Sequence, residues 1–414
     1  MESGGVFQLF LALGVMIAAA EIAGAVARRL GQPRVFGQLL AGVVLGPTLL
    51  DMLHWGTFSD PETLHHTVTE LAEMGVLFLM FGVGLEVHLH ELLSVGKVAL
   101  WAGLLGALVP LVLALPAVMP FGYDLEAAIF VGVVLSATSV SISAQTLLEL
   151  GILSTKEGIG LLAAAVVDDV LAILIFSISI ALLSGDGGGS AGDIVWILAR
   201  MILYIGGAMA VAWFGMPRLF DWLDLRQELT GSVAAFALVA ALIFGWSAEA
   251  LGGVATITGA FIAGLGLSQA SERTKGEIVE AVRRVSYSLL VPIFFVNVGL
   301  QTDLTAIEPY LLPLAGLLLA AAVASKVIGS GLGAYIGGFD KGESFRLGVC
   351  MISRGEVGLI IASLGMSNGL LSDELFQPVF LVILLTTVIT PPLVRLVFKN
   401  QDSDSGPAPA TGRA

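Results

Sequence analysis

Along most of its length the chain repeats one pattern. An apolar run, mostly of about fifteen to twenty-five residues, is followed by a short turn carrying charge, Gly or Pro. A helix of about twenty apolar residues is long enough to cross the roughly 30 Å hydrocarbon core of a bilayer. Thirteen such runs can be marked, at 6–27, 35–51, 67–87, 98–119, 126–149, 158–184, 194–214, 229–250, 253–270, 286–300, 310–335, 347–366 and 377–397. The eighth and ninth are separated only by Leu251-Gly-Gly. The chain is 57% hydrophobic and 13% charged, with a mean hydropathy of +0.95. A soluble domain is about 25% charged. The expected fold class is therefore an all-α polytopic membrane protein of 13 transmembrane helices, surrounded by lipid.

Lys and Arg orient this arrangement. Alternate turns carry Arg28, Arg29 and Arg34; Lys97; Lys156; Arg218 and Arg226; Arg273, Lys275, Arg283 and Arg284; Lys341 and Arg346. The C-terminal end adds Arg395, Lys399 and Arg413. The opposite turns hold acids instead, among them Asp51, Asp60, Glu62, Asp124, Asp186, Asp193, Asp303, Glu308, Asp373 and Glu374. The positive-inside rule then places the N-terminus outside and the C-terminus in the cytoplasm. Met1-Glu-Ser-Gly-Gly has no basic segment before the first apolar run, so that run counts as a span rather than a cleaved signal. The net charge of −14 and the lack of basic tracts argue against nucleic acid as a partner. A single cysteine, Cys350, excludes an internal disulfide.

Within the sixth run stand two adjacent acids, Asp168 and Asp169. Asp168 lies about ten residues in, roughly 15 Å deep at 1.5 Å per residue. A charge at that depth costs about 2.5–3.5 kcal/mol on insertion scales. Stability does not explain two of them, so the pair is the candidate reacting centre. Neighbours on a helix point about 100° apart, so one acid can face a partner helix while the other lines a cavity. Three basic residues also fall inside spans, Arg200, Lys326 and Arg354, and are candidates to pair with these acids. Lys326 lies mid-span among small residues that permit close helix approach. One lysine can neutralise one acid, and protons and small cations compete for the other.

Two spans read as broken. The fifth carries hydroxyls at Ser136, Thr138, Ser139, Ser141 and Ser143, which compete with the helical ladder and can offer oxygen to a hard cation. The twelfth places Arg354, Gly355 and Glu356 inside the membrane. Arg354 and Glu356 do not face each other on a regular helix, which fits local unwinding. Spans four to six start from the cytoplasm and spans eleven to thirteen from outside, each triplet with its interrupted helix in the middle. Inverted repeats with discontinuous helices and a midplane site are a secondary-transporter pattern.

With these motifs in order, the chain resembles the monovalent cation:proton antiporters, in the branch holding the Kef-type and NapA-like proteins. The resemblance rests on Arg29-Leu-Gly-Gln-Pro-Arg-Val-Phe-Gly-Gln-Leu-Leu-Ala-Gly-Val-Val-Leu-Gly-Pro47, Gly75-Val-Leu-Phe-Leu-Met-Phe-Gly-Val-Gly-Leu-Glu86, Gly259-Ala-Phe-Ile-Ala-Gly264, Pro292-Ile-Phe-Phe-Val-Asn-Val-Gly-Leu300 and Arg354-Gly-Glu356. It covers nearly the whole chain. It implies a homodimer of the NhaA/NapA-like fold with two crossing discontinuous helices. Residues 98–185 and 310–399 would form the moving core. Residues 1–97 and 186–309 would form the dimerisation domain, and 400–414 a disordered tail. By the family pattern Asp169 carries the ion or protons, Asp168 pairs with Lys326, and Thr138 and Ser139 line the first unwound crossing. Arg354 and Glu356 match the second. Asp168, Asp169, Thr138 and Ser139 would hold Na⁺.

Kef-type potassium proteins typically carry Gln-Asp and a C-terminal nucleotide-binding domain. Asp-Asp here, with only a short tail after residue 399, favours the NapA-like sodium reading. The expected function is electrogenic Na⁺(Li⁺)/H⁺ antiport in pH homeostasis, with K⁺/H⁺ exchange by the same fold as the alternative. The partners are the monovalent cation, protons and membrane lipid, with no cofactor and no enzyme activity. The expected location is the cell membrane, by family the bacterial inner membrane. An intramembrane aspartyl protease also uses two buried acids, but they come from different helices and one lies in Gly-x-Gly-Asp, which does not occur here.

Overall fold

The computed structural model describes residues 4–183, 191–224, 233–301, 303, 308–367 and 369–399. Their regular structure is helical, with no strand among the described residues. In chain order the helices are α1 (Gly4–Arg29), α2 (Arg34–Leu45), α3 (Pro61–Glu86), α4 (Leu89–Ser94), α5 (Gly96–Val118), α6 (Leu125–Ser136), α7 (Val140–Glu149), α8 (Lys156–Leu183) and α9 (Ala191–Ala210). They continue with α10 (Met216–Asp224), α11 (Val233–Ser247), α12 (Thr256–Leu267), α13 (Glu272–Val285), α14 (Val291–Leu300), α15 (Leu312–Gly337), α16 (Lys341–Cys350), α17 (Glu356–Ser367) and α18 (Asp373–Lys399). Arg226, Asp186 and the tail from residue 400 lie outside the described residues.

Nine segments among the described residues are long and apolar enough to cross a membrane. The other four expected spans fall on shorter or divided helices. The run 35–51 is carried by α2, 253–270 by α12, 286–300 by α14 after one π-helical turn, and 347–366 by α16 and α17 together. Between α11 and α12 the chain turns at Gly253, whose φ of 66° is a left-handed conformation that glycine adopts without a Cβ penalty.

Packing gathers the helices into two groups. Helices α5, α6, α8, α15, α16, α17 and α18 pack among themselves, and α1, α2, α3, α11, α12 and α14 do likewise. The most extensive packing is of α5 on α15. Gly329, Gly333 and Gly337, four residues apart, present one glycine face, and a Cβ at any of them would collide with the α5 backbone. That stripe follows Lys326 along α15 and brings the lysine-bearing helix against α5 and into the interior.

The two broken helices are built alike. Asp124 caps α6 by accepting the Ala127 N–H at 2.8 Å, and Asp340 caps α16 through a reciprocal box with Glu343. Residues 137–139 and 351–355 then run non-helically before α7 and α17 resume. Each break leaves orphaned N–H and C=O groups at mid-depth, where water cannot satisfy them.

Candidate functional site

The breaks satisfy each other. The Ser139 N–H donates to the Ser353 carbonyl at 2.9 Å, and the Ser353 hydroxyl donates back to the Ser139 carbonyl. Ser143 donates to the Cys350 carbonyl at 2.6 Å. Further carbonyls at and beside the breaks are met by buried cations. Arg354, 0% exposed, donates to the carbonyls of Leu135 at 3.0 Å, Ile352 at 2.8 Å and Ala322 at 2.8 Å. Thr387 donates to the Arg354 carbonyl. Arg354 is thus a structural fork joining the C-terminal end of α6, the unwound segment 351–355 and α15, a role suited to a planar five-donor guanidinium.

Lys326, also 0% exposed, donates to the Ser136 carbonyl at 2.6 Å and pairs with Asp168 Oδ1 at 3.0 Å. Of the three intramembrane basic residues it is the one whose recorded ion pair is with the acidic pair. Arg200 instead donates to the carbonyls of Leu251 at 2.5 Å and Ala250 at 2.7 Å, at the C-terminal end of the turn after α11.

Asp169 points elsewhere, as adjacent helical positions must. Its Oδ2 accepts the Thr258 hydroxyl at 2.8 Å, from α12 in the other helix group. Around it lies a cavity of about 10 Å³, room for about one water. Its walls are Leu162, Ala165 and Val166 of α8, Val140 of α7, Met80 of α3, and Ile257 and Phe261 of α12. A larger cavity of about 270 Å³ is bordered by Gly82, two residues beyond Met80 on α3, by Gln145, five beyond Val140 on α7, and by Glu86, Glu149, Arg34 and Tyr287. On the far side of the crossing a cavity of about 70 Å³ is bordered by Glu73, Asn297, Gln301, Gly355 and Thr387.

A model of the sodium/hydrogen exchanger transmembrane family matches residues 16–399. The chain belongs to that family. It is a multi-pass membrane transporter of the monovalent cation:proton antiporter superfamily, and not an enzyme. Among its relatives is the Na(+)/H(+)-K(+) antiporter GerN of Bacillus cereus, 35% identical over 396 residues that cover 96% of this chain and 98% of GerN. The Na(+)/H(+) antiporter of Enterococcus hirae is 34% identical over 389 residues, 94% of this chain and 97% of that protein. In fold the chain is similar to the sodium proton antiporter MjNhaP1 of Methanocaldococcus jannaschii, with a TM-score of 0.70 at 17% identity over 97% of this chain and 99% of that one.

Within this exchanger the expected site residues divide into two clusters. Asp168, Lys326 and the Ser136 carbonyl form one, and Ser139 and Arg354 belong to the crossing behind it. Ser139 Oγ lies 3.1 Å from Ser141 Oγ. Thr138 Oγ1 and Asp168 Oδ2 are buried without a hydrogen-bond partner among the described residues, and both are oxygen acceptors of the kind a hard cation takes. The Glu356 side chain lies outside the described residues. The contact of Thr258 with Asp169 is one that the sequence alone does not reveal. Thr258 is an ordinary threonine in the first turn of an apolar helix.

Proposed function

We propose that the chain is a Na⁺(Li⁺)/H⁺ antiporter with an Asp-Asp cation/proton site, in which Asp169 carries the ion or proton and Asp168 is paired with Lys326 while no cation is bound. The carrying observation is the Lys326–Asp168 pair itself. It neutralises one of two adjacent buried acids and fastens it to the crossing through the Ser136 carbonyl. The other acid faces a narrow cavity between the two helix groups.

In this reading residues 98–185 and 310–399 move as a core against residues 1–97 and 186–309, which hold the homodimer. Each stroke turns Asp169 from one water-filled side to the other. The 270 Å³ cavity would be its cytoplasmic approach, with the N-terminus outside, thirteen crossings and the C-terminus inside. Thr138 and Asp168 supply the further oxygens that the cation meets. Two acids and one lysine can trade more than one proton per cation, which makes exchange electrogenic. No cofactor is needed. NapA-like sodium exchange is the leading assignment. The name of the Bacillus cereus relative includes potassium, so K⁺ is the second cation to offer.

Reconstitution into liposomes under an imposed pH gradient tests this. Proton movement on adding Na⁺ or Li⁺, abolished in Asp169→Asn without loss of the folded protein, is the expected result. Response to K⁺ alone would replace the cation, and full activity in Asp169→Asn would remove Asp169 as the carrier.

A further inference from the structure

The bond between Thr258 and Asp169 joins residues from the two helix groups. Asp169 rides on α8, which packs on α5, α6 and α16, whereas α12 packs on α3 and α11. Threonines in helices ordinarily return their hydroxyl to a carbonyl one turn back, as Thr146 does to Ile142 at 2.7 Å and Thr390 to Thr386 at 2.6 Å. The Thr258 hydroxyl leaves its own helix and donates to Oδ2, where it is 4% exposed. The surrounding walls are apolar, and about 10 Å³ is too small for a cation with any of its water.

We propose that Thr258 is a placeholder ligand. Its hydroxyl occupies Asp169 while the two helix groups are closed on each other, and the cation must displace it. This rests on the antiport reading above and names the residue that sets apparent cation affinity within it.

A hydroxyl donating to an ionised carboxylate is a charge-assisted bond, and its strength is set against every cation that binds. When the core moves, Thr258 stays with α12. An Asp169 that has taken a cation or a proton gives up the bond with something in return, and an empty one gives it up for nothing. The same contact therefore holds back the stroke of the empty, ionised carrier, which would otherwise let sodium run downhill without protons. Thr258 acts through Asp169 and is a positioning residue.

The test uses full-length protein in proteoliposomes, with Thr258→Val, Thr258→Ala and Thr258→Ser beside the unaltered chain. Valine keeps the shape and deletes the hydroxyl; serine keeps the hydroxyl. The expected result is an apparent KM for Na⁺ about tenfold lower in the valine variant, the scale of one bond to a charged group, with maximal rate little changed. Downhill Na⁺ release at equal pH on both sides should rise in the same variant, and serine should restore both. Should valine misfold, alanine takes the same readout. An unchanged KM in the valine or alanine variant would overturn the proposal, since the hydroxyl would then only pack. A raised KM would also overturn it, by making Thr258 a ligand of the cation itself. An unaltered chain that moves no protons on adding cations would instead sink the antiport reading on which the proposal stands.

Discussion

Ser139 and Ser353 bond each other in both directions across the point where two unwound helices meet. The backbone N–H of Ser139 reaches the Ser353 carbonyl at 2.9 Å, and the Ser353 hydroxyl returns to the Ser139 carbonyl. Two breaks that would each leave buried polar groups orphaned become one joint. Ser353→Ala removes the returning bond and the 3.3 Å contact with the Ser143 hydroxyl, but keeps the backbone bond. A loss of about 1–3 kcal/mol is expected, with a lower unfolding temperature in detergent and slower exchange.

Gly355 lies against the same joint. A Cβ at this position would sit 2.7 Å from Ser139 Oγ and 2.8 Å from Ser139 Cβ, closer than real contacts allow. Gly355→Ala should give a folded protein with little exchange, because the second unwound segment must shift. Adding Ser139→Gly removes both atoms in the way and should recover part of the activity. No recovery would mean that the alanine acts elsewhere.

Lys326 and Asp168 are both wholly buried. Removing one partner leaves an uncompensated charge, which costs about 3–5 kcal/mol, whereas removing both is often nearly neutral. Lys326→Met alone should therefore unfold at a markedly lower temperature than the unaltered protein. The double variant Lys326→Met/Asp168→Asn should regain most of that difference. A coupling energy near zero in this cycle would show that the two charges do not depend on each other.

At the membrane surface, Asp340 carries a pH dependence whose sign is set by its cap. The Glu343 backbone N–H holds its carboxyl below the ordinary value of 3.8, opposed by burial and aided by the Gly342 backbone and Arg346. A depressed folded value means that the cap contributes fully above the unfolded value and is lost as pH falls through the folded one. Asp340→Asn keeps a capping oxygen that does not titrate in this range. Its unfolding temperature should therefore fall less steeply on acidification than that of the unaltered chain, and parallel curves would refute the role.

How far the site could be read in advance differs residue by residue. Asp168, Asp169 and Lys326 were visible because charge in an apolar run violates the solvent preference of its surroundings, and that violation is local. The two interrupted helices were visible for a related reason, since clustered hydroxyls and an Arg-Gly-Glu inside spans contradict the helix around them. Arg354 was visible as a buried charge, but its partners were not. It serves carbonyls rather than either aspartate, because unwound backbone creates acceptors that no residue letter records.

The sequence by itself determined the solvent of this protein, its chain of apolar helices and the positions where charge lies at mid-depth, all of which follow from composition over a few turns. Tertiary structure decided which acid meets Lys326, how the two breaks satisfy each other, and that Thr258 reaches Asp169. These are choices among groups 89 to 214 residues apart. Helical periodicity assigns a direction to each side chain, and only the packing of α5 on α15 and of α12 beside α8 decides what lies in that direction.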